Sequence, residues 1–242
     1  MSRRTIAALG AGLVLTATGC ESSQDRSAQL QKQGAKLIAN QHGLVLHGRN
    51  AAVRVLQAGV VTDANGTAAA VLLRNIKPTP LGQVPIAIDV LGPGHKTVFA
   101  NSAPGLESSL VSIAALPAKG DVTWVDDQVI PVGKALSVDA RVGAGGEGAP
   151  RTLPQIDVGQ PKLQNDATSG LEAVGKVSNR SAVDQVRLFV YVSAWRGGRL
   201  TSAGRGAVQR LPAHGRATYH AFLIGNPQGA QLTATAPPTV LR

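Results

Sequence analysis

Cys20 is the only cysteine in the 242-residue chain. It supplies one strong nucleophile and no possible intrachain disulfide. His214 and His220 are the nearest thing to a metal pair, while His42, His47 and His95 are scattered. The first two read as a turn residue and a strand residue, and no third ligand of zinc-site spacing accompanies them. Asp126 and Asp127 put two carboxylates side by side, but the flanking residues match no calcium loop. Arg196, Arg199, Arg205, Arg210 and Arg216 fall within twenty-one positions and form a candidate anion-binding face. The chain contains no G-x-S-x-G, no H-E-x-x-H, no phosphate-binding loop and no dinucleotide fingerprint. These residues predict no catalytic role and no cofactor. The alternative is an envelope enzyme or metal carrier whose site is built from scattered His and Asp residues.

The surroundings of Cys20 give its chemistry a direction. Met1-Ser2-Arg3-Arg4 is a short basic start, and residues 6–18 are uncharged and mainly apolar, short for a membrane span. Leu15-Thr16-Ala17-Thr18-Gly19-Cys20 then resembles the bacterial lipoprotein signal, with Ala17 in a slot that usually holds Leu or Val. The resemblance implies a diacylglyceryl group on the Cys20 thiol and cleavage just before it. Acylation accounts both for the single cysteine and for its position, since a secreted chain has little use for an unpaired thiol. Without the leader the chain has neither thiol nor methionine free for Cu(I). Ser2-Arg3-Arg4-Thr5-Ile6 also resembles the opening of a twin-arginine export signal. Residues 21–33, ESSQDRSAQLQKQ, are polar and read as a tether lifting a domain off the headgroups. The expected location is the outer face of the cell membrane, held by lipid.

The rest of the chain is written twice. Leu116 to Tyr219 is bracketed by two versions of one phrase, LPAKGDVTW from Leu116 and LPAHGRATY from Leu211. Upstream of each lies a strand ending in asparagine, AVLLRN at Asn75 and AVGKVSN at Asn179. Between these come QVPIAIDVL from Gln83 and QVRLFVYVS from Gln185, whose alternate residues share one strand face. This alignment matches Gln83 to Gln185 and runs 116–142 onto 211–237 without a gap. In each repeated turn proline fixes φ, and Gly120 and Gly215 are expected to supply a positive φ. Trp124 and Tyr219 occupy equivalent places and are expected in the cores.

Short strands punctuated by turns, with 28 glycines and 14 prolines, predict an all-β chain. The expected architecture is two tandem antiparallel immunoglobulin-like β-sandwiches, at 41–142 and 152–242, joined by a Gly-rich linker at 143–151. Residues 1–19 form the leader and 20–40 the lipidated cysteine and tether. The order of strands and turns resembles the small immunoglobulin-like domains of bacterial envelope lipoproteins, the FxLYD type among them. Those domains share no catalytic residues. The Ala- and Gly-rich composition, with sixteen Arg to eight Lys, is similar to that of actinomycete proteins.

Charge divides unevenly between the copies. Residues 41–142 hold four Arg and four Lys against six Asp and one Glu, a balance of +1. Residues 152–242 hold eight Arg and two Lys against three Asp and one Glu, a balance of +6. Solvated arginine accounts for that excess, and so does a basic face for anionic envelope polymer, headgroups or another envelope protein. Nucleic acid is not expected at an outer surface, and aromatic stacking residues are only 3% of the chain. The expected function is a lipid-anchored, non-catalytic interaction or scaffolding module of the cell envelope.

Overall fold

The computed structural model describes residues 43–145, 149–166 and 170–242. These residues contain no α-helix; they form antiparallel β-sheets. The first half holds β1 (Val53–Asp63), β2 (Gly66–Asn75), β3 (Leu81–Leu91), β4 (Thr97–Ala100), β5 (Ser112–Leu116), β6 (Asp121–Val129) and β7 (Ser137–Val142). One sheet runs β1-β2-β6; in the other, β3 pairs with β4, β5 and β7. The second half holds β8 (Ile156–Val158), β9 (Lys162–Asp166), β10 (Gly170–Asn179), β11 (Gln185–Arg196), β12 (Arg199–Leu211), β13 (Arg216–Phe222), β14 (Ile224–Gly225) and β15 (Gln231–Thr235). There β10 pairs with β8, β9 and β13, and a second sheet runs β14-β12-β11-β15. Each half is a β-sandwich.

Strand register sharpens the internal repeat. Val71 faces Trp124 as Gly175 faces Tyr219, and Leu81 faces Leu116 as Gln185 faces Leu211. The offset is therefore 104 residues through both β2 and β3. Gln83 corresponds to Arg187, not to Gln185. Both equivalent residues take a left-handed φ, 51° at Gln83 and 50° at Arg187. That kink resets the alternation. Val84, Ile86, Ile88 and Val90 are buried, and so are their true counterparts Leu188, Val190, Val192 and Ala194. Val186, placed on the core face by alternation alone, is 52% exposed. In the last strand Val90 faces Val138 while Ala194 faces Leu232. The offset there is 94, one residue less than at the turn, so the match is not gapless.

The two sandwiches pack sheet to sheet. The β1-β2-β6 sheet lies against the β14-β12-β11-β15 sheet, and Tyr191, Leu200, Ala203 and Ile224 join the core of the first half. A sheet covered on both faces cannot alternate apolar with polar, which explains the unbroken buried run Thr67 to Val71 in β2. Alanines 68, 69 and 70 keep the layer thin. Gly59 of β1 serves the same approach, because a Cβ there would stand 2.9 Å from the Leu200 Cβ. A second core, built on Leu188, Val190, Val192 and Tyr219, fills the sandwich of the second half. Residues 42–242 consequently form one compact unit, where the Gly-rich stretch had suggested two self-sufficient bodies.

Candidate functional site

Most of the polar side chains that the fold draws inward serve its own backbone. Asn75 donates from Nδ2 to the carbonyls of Thr79 at 2.9 Å and Pro117 at 3.1 Å, and its Oδ1 accepts the Lys77 N–H at 2.9 Å. Asn179 repeats this with the carbonyls of Val183 at 2.8 Å and Pro212 at 3.0 Å and with the Ser181 N–H at 3.0 Å. The turn's left-handed residue is Lys119 at φ 54° or His214 at φ 55°, not the glycine after it. Gly120 is needed for space, since a Cβ there would come within 2.6 Å of the Pro117 ring. Trp124 and Tyr219 are buried, as their equivalent positions implied. Their polar tips donate to the Ser109 carbonyl at 2.8 Å and the Gly159 carbonyl at 3.2 Å.

A charged node sits where the halves meet. Arg205 of β12 leaves only 6% of its side chain exposed. Its Nε donates to Asp127 Oδ1 at 2.7 Å and its Nη1 to Ser109 Oγ at 2.7 Å. Glu107 Oε2 lies 3.7 Å from Nη2, and the guanidinium carbon is 5.3 Å from the centre of the Phe189 ring. Glu107 also receives Arg187 at 2.5 Å. Two arginines thus face two carboxylates around one aromatic ring, and the node is electrically balanced. Sequence reading singled out Arg205 but missed Glu107 and Ser109, because nearly a hundred residues separate them from it.

Next to this node, Asp126 is buried on β6. Desolvation pushes its carboxyl up to about 6; the Asp127 charge adds to the shift, while the Gln128 N–H and Arg205 oppose it. Asp121, by contrast, is held below the usual carboxylate range by its bond to Arg74 at 2.6 Å.

The five arginines do not gather. Arg196 and Arg199 are cross-strand partners at one end of the β11–β12 hairpin. Arg210 lies eleven positions beyond Arg199 on the same extended strand, about 36 Å away at ~3.3 Å per residue. It is paired with Asp184 at 2.9 Å. Arg216 opens β13 opposite Ser178. Arg205 is enclosed in the node and presents no free face to an external anion. His214 and His220 also stay apart, on the repeated turn and on β13, where His220 Nδ1 meets Glu172 Oε2 at 3.1 Å. Among the described residues no three metal-ligating side chains cluster. A cleft of about 540 Å³ lies between the first repeated turn, the end of the Gly-rich stretch and the C-terminal segment. Pro80, Pro117, Leu153, Pro154 and Pro237 give it an apolar lining, with Asp121 and Arg151 as its charged groups.

Cys20, the leader and the tether lie outside the described residues, as does the middle of the Gly-rich stretch at 146–148. No helix among the described residues is long and apolar enough to cross a membrane. No protein-family model matches the chain, and no curated protein matches it.

Proposed function

We propose that this chain is a lipid-anchored, extracytoplasmic protein that acts as a non-catalytic interaction or scaffolding module of the cell envelope. The observation that carries the reading is the placement of the only cysteine. It follows directly on an apolar leader and precedes a polar stretch. Two acyl chains on that thiol hold a protein stably at a bilayer, because each buried methylene contributes about 0.8 kcal/mol. The body beyond the tether suits a scaffold. Asn75, Asn101, Asn179, Gln185 and Arg205 are all engaged in bonds that hold strands and turns in place. Relationship to immunoglobulin-like envelope domains is part of the same proposal and rests on the repeated strand–Asn and Leu-Pro-Ala-x-Gly order.

The test is metabolic labelling with palmitate, combined with cell fractionation. The native chain should carry label and remain with membranes. Cys20→Ala should lose the label and either come off membranes in a high-salt wash or persist as an unprocessed precursor. A native chain without label, or a Cys20→Ala protein that still carries label and stays with membranes through a high-salt wash, would sink the proposal.

A further inference from the structure

We propose that the β6–β7 connection, tipped by Ile130 and Val132, is a second membrane contact that dips into an anionic bilayer. Ile130 is 81% exposed, Val132 86% and Leu136 51%. Single exposed apolar residues are ordinary, but three large ones within seven positions of one loop mark a contact surface. The loop is fastened in place. Val132 donates its N–H to the Val98 carbonyl at 2.8 Å, and Leu136 donates to the Leu91 carbonyl at 2.8 Å. Both bonds tie the loop to the strand ends that flank the β3–β4 turn. There Gly92 leaves room for the Lys134 carbonyl, which a Cβ would approach to 2.8 Å.

Two exposed lysines flank the tip. Lys134 in the loop and His95 and Lys96 in the adjoining turn are all exposed. Neither 90–100 nor 128–138 contains a carboxylate. The nearest acids along the chain are Asp89, Asp127 and Asp139; Asp89 is paired with Arg141, and Asp127 with Arg205. Asp63, at the β1–β2 turn, accepts the N–H groups of Asn65 and Gly225. An apolar point flanked by two lysines fits a surface with anionic headgroups above hydrocarbon. The second half supplies an internal control. Its equivalent connection reads GNPQGAQ from Gly225, with no large apolar residue. The sandwich itself therefore does not require Ile130 and Val132.

The proposal rests on the lipid-anchored reading only for proximity. Twenty-two residues separate Cys20 from Gly43, a reach of at most about 75 Å. Gly43 packs its backbone against Ser102, just beyond β4, and β4 starts at the lysine-bearing turn. The tip therefore lies within reach of the leaflet that would hold the anchor.

The test uses residues 20–242 carrying Cys20→Ser, without any acyl group, so a failed anchor and a failed tip give separate results. Co-sedimentation is measured with vesicles of phosphatidylglycerol and phosphatidylcholine in equal parts, and with phosphatidylcholine alone. Binding to the anionic vesicles is expected, weakening with salt. The Ile130→Ser/Val132→Ser pair should lower the affinity about tenfold or more. Lys96→Gln/Lys134→Gln should lower it by a similar factor, at about fivefold for each lysine. All four side chains are exposed, so circular dichroism and melting should match the parent chain. Absence of binding to anionic vesicles, or binding indifferent to the Ile130 and Val132 substitutions, overturns the proposal. So does a dimer that those substitutions dissolve in the absence of vesicle binding, which would assign the tip to a second copy of the chain.

Discussion

Asn75 and Asn179 stand 104 positions apart and perform the same task, each closing its Leu-Pro-Ala-x-Gly turn onto the end of the strand that carries it. Each donates to the proline carbonyl of its turn, at 3.1 Å and 3.0 Å. Each also donates its backbone N–H to the Gly120 or Gly215 carbonyl, at 3.0 Å and 2.9 Å. The buried side chain thus ties the turn to its strand through three backbone groups, and the proline carbonyl it binds also accepts the N–H of Gly120 or Gly215.

Truncating either asparagine should therefore be costly. Asn75→Ala and Asn179→Ala are each expected to lower stability by about 1–3 kcal/mol, the cost of losing the several hydrogen bonds that one buried side chain makes to the backbone. Urea denaturation measures this. A loss below about half a kcal/mol at both sites would show that the turns hold without the clamp.

Arg205 should matter more than any exposed arginine. Arg205→Ala removes one side of a buried pair and strands Asp127, at an expected cost of about 3–5 kcal/mol. Arg210→Ala removes an exposed, solvent-screened pair with Asp184 and should cost far less. Parallel melting curves of the two variants compare them directly, and equal losses would contradict the enclosed position of Arg205.

The shared core changes what cleavage should do. A protease site introduced at Glu147 is expected to yield two pieces that stay together through gel filtration and unfold in one transition. The burial of Tyr191, Leu200 and Ile224 against the first half requires it. Two pieces that elute and melt separately would mean that the sheet-to-sheet contact contributes little.

Asp126 predicts an inverted acid response. Its pKa is raised to about 6 from 3.8, so the folded chain holds this proton more tightly than the unfolded one. The ionised carboxylate therefore costs stability above about pH 6. That penalty fades as pH falls through 6 and is gone below 3.8. Asp126→Asn keeps an oxygen to accept the Gln128 N–H. It should stabilise the protein by on the order of 2–3 kcal/mol at about pH 8 and by almost nothing below about pH 4. Chemical denaturation at both pH values checks the sign; an equal effect at the two would remove ionisation as the cause.

By itself the sequence determined the all-β class, the repeat, the repeated turns and the burial of Trp124 and Tyr219. Each of these follows from a local rule. Alternation marks strands, proline and glycine mark turns, and large aromatic side chains go to cores. Tertiary structure decided the rest. The kink at Gln83 and Arg187 resets which side chains of the strand face the core, and nothing in the residue types announces a left-handed φ at either. The face-to-face stacking that brings side chains of the second half into the first core was written only as the run of alanines in β2, which reads equally well as weak strand or plain filler. The arginines look like one cluster because they are close in sequence, yet an extended strand separates neighbours by ~3.3 Å per residue and sends alternate side chains to opposite faces. Arg205 found its carboxylates in a distant part of the chain, and only the packing of one sheet on another could bring them together.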